Sequence, residues 1–373
     1  MSETCEISRR KTIGLLLVGG RHHILHLIPI AAELEKHEDF SVIIFVTSVA
    51  EQQACKAVLE ALGAKQTQIQ VLEPGFIGKR LSPKLSFLLR HLKLWKGLDA
   101  LILAERTSTI LRYFSRRLPP LIHIPHGAGD RAKSYDARIK HFNHVLVAGP
   151  KDKRRMMDLG LVSDNSCHVT GYIKPFAVRR MCNARPAIFK TERPVALYNP
   201  HFSSSLSSWP HFGLELLEAF AKRTDMNFIF APHVRLFSKG KASEITQIMA
   251  FSKYDNIHID LGSERSTDMT YTRAADIYIG DVSSQVYEFL SEPKPCIFIT
   301  PADTQWKGNP DYAHWDYGPV CYTAEEVMSA LSRAEDSLSD YAQSQSEGCL
   351  AAKGDPAWNP IKRAAAAVRS ILS

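Results

Sequence analysis

Short apolar runs, each closed by a polar turn and followed by a helix-length segment, recur along most of this 373-residue chain. Residues 12–18, 41–46, 69–72, 101–103, 121–124 and 145–147 are largely apolar rather than strictly alternating, the pattern of strands buried on both faces. Helical spacing over 22–36 and 51–62 falls between them. Buried strands joined by helical crossovers make a parallel sheet covered on both sides. A second series repeats the alternation, with strands expected at 195–198, 228–230, 257–259, 277–279 and 295–299 and helices at 213–222, 244–252, 285–290, 324–335 and 360–372. Between the series, residues 171–194 are rich in proline, arginine and small side chains and read as a linker. The expected fold is α/β, two doubly wound Rossmann-like domains facing a central cleft, one over 1–178 and one over 190–350.

Composition narrows the class. At 45% hydrophobic and 23% charged residues the chain fits a soluble globular protein. No apolar run approaches the ~18 residues of a membrane span, and 12–18 is too short for a signal h-region. Cys5, Cys55, Cys167, Cys182, Cys296, Cys321 and Cys349 are scattered without a CxxC spacing, which predicts neither a zinc site nor a disulfide framework and suits a reducing cytoplasm. The net charge of +7 is uneven. Lys79, Arg80, Lys84, Arg90, Lys93, Lys96, Arg106, Arg112, Arg116 and Arg117 face only Asp99 and Glu105, with Leu81, Phe87, Leu88, Leu92 and Trp95 interleaved. Such a stretch suits an anionic membrane surface, a nucleic acid, or a solvated helix face above a buried stripe.

Ligands of open parallel sheets bind at the carboxyl ends of the strands, so the loops there hold the candidate chemistry. After the first strand, Gly19, Gly20 and Arg21 make a loop that admits a phosphate or serves as a plain turn. After the 121–124 run, His126 enters a glycine-rich loop with Gly127, Gly129 and Asp130. A histidine there can act as general base with Asp130 orienting it, or can be a structural turn residue. The 228–230 run leads to His233 and Arg235, a pair of donors suited to phosphate. The fourth loop is Gly280-Asp281-Val282-Ser283-Ser284 before a helix bearing Glu288. Its serines can hold an anion or simply cap the helix, and its acids can accept from a polyol hydroxyl. There is no DxD, GxSxG, P-loop or HExxH, so no metal site is expected.

Taken together these motifs resemble the CDP-glycerol glycerophosphotransferase family of teichoic acid synthesis. The resemblance is carried by His126-Gly127, Tyr198-Asn199-Pro200, Pro232-His233, and Ala275-Asp276 through Asp281, Ser283, Ser284, Glu288 and Phe289, followed by Lys294-Pro295 and then Asp303. It spans about 195–303 closely and 121–171 more loosely. The pattern departs at Pro125, before His126, and at Val234, after His233, which leaves the acceptor and the activated donor open. The resemblance implies a glycosyltransferase type B fold, with a C-terminal segment 357–373 crossing back to an acceptor-side first domain. It further implies transfer of a phosphoglycerol or phosphopolyol group from a CDP-activated donor such as CDP-glycerol to a lipid-linked or glycan hydroxyl, releasing CMP. In that scheme His126, His233 and Asp130 are catalytic; Gly127, Arg235, Asp281, Ser283, Ser284, Glu288, Tyr198 and Pro200 bind the donor; and Gly19, Gly20 and Arg21 hold acceptor or phosphate. No cofactor is called for and no nucleic acid is expected. The protein would be cytoplasmic, resting on the inner membrane face through 79–117. The alternative is a nucleotide-sugar glycosyltransferase of the same fold acting in envelope polysaccharide or glycolipid synthesis.

Overall fold

A computed structural model describes residues 9–73, 83–300 and 304–373. Cys5, Lys79, Arg80, Leu81 and Asp303 lie outside these residues. The chain divides into two compact units, one of Met1–Ala128, Tyr135–Asn183 and Lys353–Ser373, the other of Gly129–Ser134 and Ala184–Ala352.

The first unit is built on a seven-stranded sheet. Its strands are β1 (Lys11–Leu16), β2 (Phe40–Val46), β3 (Gln68–Val71), β4 (Ala100–Leu103), β5 (Leu121–His123), β6 (His144–Val147) and β7 (Cys167–Val169). They pair in parallel in the order β3-β2-β1-β4-β5-β6-β7. The apolar runs are continuous because successive side chains enter different cores. Ile13, Leu15 and Leu17 join a cluster with the helix Ile24–Leu34, while Leu16 and Val18 join Phe87, Trp95 and Leu111 on the opposite face. The terminal helix Pro360–Leu372 adds Ile361, Ala364, Ala365 and Val368 to the first of these cores.

The expected linker is in part a helix, Ile173–Met181, whose Ile173 and Ala177 are buried in the same core. Pro175 stands in its first turn, where a proline removes no intrahelical hydrogen bond, so what read as a breaker is a helix starter.

The second unit carries a six-stranded sheet: β8 (Val195–Asn199), β9 (Asn227–Phe230), β10 (Ile257–Ile259), β11 (Ile277–Gly280), β12 (Cys296–Ile299) and β13 (Val320–Cys321), in the order β10-β9-β8-β11-β12-β13 and again parallel. A helix over Leu338–Lys353 was not legible in the sequence. It docks through a polar residue, the buried Gln345, whose Oε1 accepts from Lys294 N (2.9 Å) and whose Nε2 donates to the carbonyls of Lys294 (2.9 Å) and Tyr317 (2.7 Å). In each sheet the winding reverses once, between β1 and β4 and between β8 and β11. The crevices outside the carboxyl ends at these reversals are where doubly wound sheets bind ligands.

Candidate functional site

At the reversal in the second unit, Asp281 follows β11 and is fully buried. Its carboxylate accepts from the backbone N–H of His201 (2.9 and 3.1 Å) and from both the N–H (2.8 Å) and the hydroxyl (3.0 Å) of Ser208. Val282 N–H adds a fourth donor at 2.6 Å. Burial raises the Asp281 pKa to about 6, against the opposing pull of the Ser208, Val282 and His201 hydrogen bonds. The sequence expectation of a donor-contacting Asp281 therefore gives way to a positioning role: it ties the loop after β8 to the turn after β11. Tyr198 is likewise framework, 0% exposed with its hydroxyl 2.8 Å from Ser208 Oγ. Pro200 is buried too, and its carbonyl accepts from His233 N–H at 3.0 Å. Glu288 is buried and partnered within the fold rather than open to a polyol. Ser283 Oγ accepts from Gln285 N–H at 3.3 Å, the capping arrangement, and Ser284 is half-buried at the start of the helix Gln285–Phe289.

Of the residues that can meet an anion in this unit, the fold brings four together. Arg235 lies with its guanidinium 4.2 Å over the Phe202 ring. His233 sits 4.5 Å from the same ring and 5.7 Å from the ring of His201. Arg131 Nη1 is 3.2 Å from His201 Nε2. His233 Nδ1 accepts from Arg235 N–H at 3.1 Å, which leaves Nε2 as the nitrogen carrying the proton in the neutral ring. The sequence singled out His233 and Arg235 as phosphate donors; the structure adds His201 and Arg131 to them. His201 stands one residue past the Tyr-Asn-Pro motif, and Arg131 arrives from a segment, Gly129–Ser134, that belongs to the second unit although it is flanked by the first.

That segment also settles Asp130. Its carboxylate is buried, accepts from the Tyr287 hydroxyl (2.9 and 2.8 Å) and lies 2.7 Å from His314 Nδ1. His314 Nε2 in turn faces the Asp281 carbonyl at 3.1 Å, and Trp315 Nε1 donates to the same carbonyl at 2.8 Å. Asp130 is thus the centre of a buried polar network, a structural setting that its sequence context did not reveal. Gly129 allows the approach, because a Cβ there would sit 3.2 Å from Ser284 Cβ.

In the first unit the loops after β1, β4 and β5, three neighbouring strands, meet around histidines. Gly19 has φ +136°, and a Cβ on it would fall 2.5 Å from Glu105 Oε1; Gly20 has φ +118°. Arg21 donates to the Ala50 carbonyl at 2.9 Å. Glu105 accepts from Lys84 at 2.7 Å and Thr107 at 3.2 Å. His126 stands just before Gly127, whose φ is +127°. Crowding by these loops, and then His22, pushes its pKa down to about 4 while Glu105 and Ala104 oppose. It is a neutral imidazole near pH 7, with one ring nitrogen unprotonated. The His126 ring centroid lies 5.4 Å from that of His22 and 4.7 Å from that of His23, and His22 and His23 are 4.0 Å apart. This grouping was not anticipated, because its members come from loops a hundred residues apart.

Two parallel sheets of this order, each with ligand-competent loops at its reversal, define the glycosyltransferase type B class, and solved structures share the arrangement. A UDP-GlcNAc 2-epimerase from Neisseria meningitidis bound to UDP-GlcNAc matches with a TM-score of 0.67 at 14% identity, covering 97% of this chain and 99% of that one. The S. aureus MnaA–UDP co-structure matches at 0.62 and 14%, covering 97% of each. The wall teichoic acid polymerase TagF matches at 0.63 and 11%, covering 97% of this chain and 88% of that one. No curated protein matches the chain in sequence. Residues 187–347, which lie within the second unit, match the family CDP-Glycerol:Poly(glycerophosphate) glycerophosphotransferase. The resemblance read from the motifs is borne out over that segment, and the family it matches is one of transferases.

Proposed function

We propose that the enzyme transfers a phosphoglycerol or related phosphopolyol group from a CDP-activated donor to a hydroxyl acceptor and releases CMP. The observation that carries the reading is the Arg131–His201–His233–Arg235 cluster at the sheet reversal of the family-matched unit. Two guanidiniums and the His233 imidazole offer charge-assisted hydrogen bonds to a diphosphate, with His201 holding Arg131 in place, and they strengthen as charge builds on the leaving phosphate. The acceptor oxygen attacks the phosphorus distal to cytidine; its proton goes to His126, whose unprotonated nitrogen suits a general base. The reading calls on no cofactor. The test is product analysis: the protein is incubated with CDP-glycerol, UDP-sugars and lipid-linked or glycan acceptors. CMP release from CDP-glycerol supports the proposal, and UDP release from a UDP-sugar in its place refutes it. The second reading, nucleotide-sugar chemistry, is favoured by the likeness to the UDP-GlcNAc-bound epimerase.

A lipid-linked acceptor fits a protein that works at the inner face of a membrane. Arg90, Lys93, Lys96, Arg116 and Arg117 are exposed, and the helices Pro83–Arg90 and Leu111–Phe114 that carry or flank them pack together. The apolar contribution expected from Leu88, Leu92 and Trp95 is withdrawn: Leu88 and Trp95 are 1% and 0% exposed, and all three pack in the core. Tyr113 and Phe114, 77% and 51% exposed, are the apolar groups this surface offers instead. Among the described residues no helix is long and apolar enough to cross a membrane.

A further inference from the structure

We propose that His22, His23 and His126 bind a divalent transition-metal ion of the zinc class in the first unit. One ligand nitrogen from each lies within 4.8 Å of the others. A tetrahedral zinc with bonds of ~2.0–2.1 Å sets its nitrogens about 3.4 Å apart. Closing that gap falls to His22 and His126, whose side chains are exposed and can turn. His23 cannot turn away: it is 1% exposed, and neither of its ring nitrogens has a hydrogen-bond partner. Buried polar nitrogens are seldom left so, and an ion at the centre of the cluster satisfies one of them directly. A carboxylate stands by, Glu105 Oε1 at 3.9 Å from His23 Nε2.

A cation fits this cluster better than an anion does. The Lys84 ammonium beside the cluster is bound to Glu105. Imidazole donors select zinc, cobalt or nickel over magnesium or calcium. Three protein ligands leave a fourth position open. The consequence for turnover rests on the proposed transferase reading, in which His126 is the base. Its one remaining lone pair can take a metal or a proton, not both, so the metal-loaded enzyme is inhibited.

The experiment uses the full chain, freed of metal by a chelator and titrated with Co2+. The expected result is a tetrahedral ligand-field absorption saturating at one equivalent and bleached by Zn2+. His22→Ala, at an exposed position, and His23→Ala each weaken Co2+ binding by at least ~10-fold. Far-UV circular dichroism shows that His22→Ala is folded, so its loss of binding is a loss of ligand. Absence of the absorption, or an absorption that survives both substitutions, overturns the site. In the CMP-release assay, Zn2+ inhibits and a chelator restores turnover; full turnover with Zn2+ bound overturns the exclusive use of His126. Absence of CDP-glycerol turnover in every form would strike the transferase reading, while the Co2+ spectrum still decides the metal site.

Discussion

Replacing Asp281 with asparagine isolates one buried carboxylate whose charge the fold resists. Its pKa rises from the ordinary value of 3.8 to about 6, with burial as the main cause. At about 1.4 kcal/mol per pH unit, that difference is worth about 3 kcal/mol of stability. The folded-state value is the raised one, so the contribution is fully present below the unfolded pKa and is lost as pH climbs through about 6. Asp281→Asn removes this titration. It keeps one oxygen for the His201, Ser208 and Val282 donors but turns an N–H2 toward the rest, so the variant is less stable at about pH 4, where the wild-type side chain is neutral. Between about pH 4 and about pH 7 the wild type weakens and the variant does not, so the stability gap shrinks by about 2 kcal/mol. Urea unfolding of both proteins across that range measures the gap, and titration of carboxyl-labelled aspartate by 13C NMR reads the pKa directly. A gap that stays constant or widens with rising pH would show that the four donors outweigh burial and would refute the reasoning.

Arg235→Ala should raise KM for the CDP-activated donor about 10- to 100-fold, the loss of a charge-assisted phosphate contact; steady-state kinetics with an unchanged KM would remove Arg235 from the donor site. His126→Ala should lower kcat by about 10²–10⁴-fold at an unchanged melting temperature. Asp130→Ala should instead unfold at markedly lower temperature, by about 3–5 kcal/mol of lost stability, because Tyr287 and His314 are left buried without their shared acceptor. Paired melts and rate measurements distinguish the two, and the opposite pattern would exchange the roles of His126 and Asp130. Gly213→Ala should destabilise, although alanine in a free helix gains ~1 kcal/mol over glycine: the added Cβ would fall 2.0 Å from the Trp209 ring. For the basic surface, binding to anionic but not neutral vesicles, weakened by salt and by charge reversal at Arg90, Lys93 and Lys96, is expected at ~1 kcal/mol per charge; equal indifference to both vesicle types would point to a soluble acceptor.

The inner strands were legible because they are buried on both faces, so every residue of Ala100–Leu103 or Ile277–Gly280 answers to packing and the run has no polar interruption. The helices that escaped notice lack that signature. Ile173–Met181 carries a lysine and a proline in its first turn, and Leu338–Lys353 buries a glutamine whose hydrogen bonds, rather than an apolar stripe, fix it in place. Short β7 and β13 add only three and two residues at the sheet edges, too little to register as runs.

The candidate site divides by the same logic. Residues that end a strand were found, since position at a carboxyl end is a local property: His126, His233 and Asp281 each follow one. What those side chains touch is not local. Asp281 and Asp130 are both acids in glycine-bearing loops, and nothing in their immediate sequence distinguishes a ligand-facing carboxylate from one that closes a buried network. The difference lies in the donors that reach them, Ser208 and His201 for one, Tyr287 and His314 for the other, all brought by segments seventy to more than one hundred and eighty residues away. Charge clusters behave alike: Arg131 joins His201 only because Gly129–Ser134 packs into the second unit. A buried acid that accepts four hydrogen bonds serves to hold a loop, whereas His233 and Arg235, stacked on Phe202 with Arg235 exposed, keep donors for a ligand. The chemistry of this enzyme is therefore better sought in its half-buried cations than in its conspicuous aspartates.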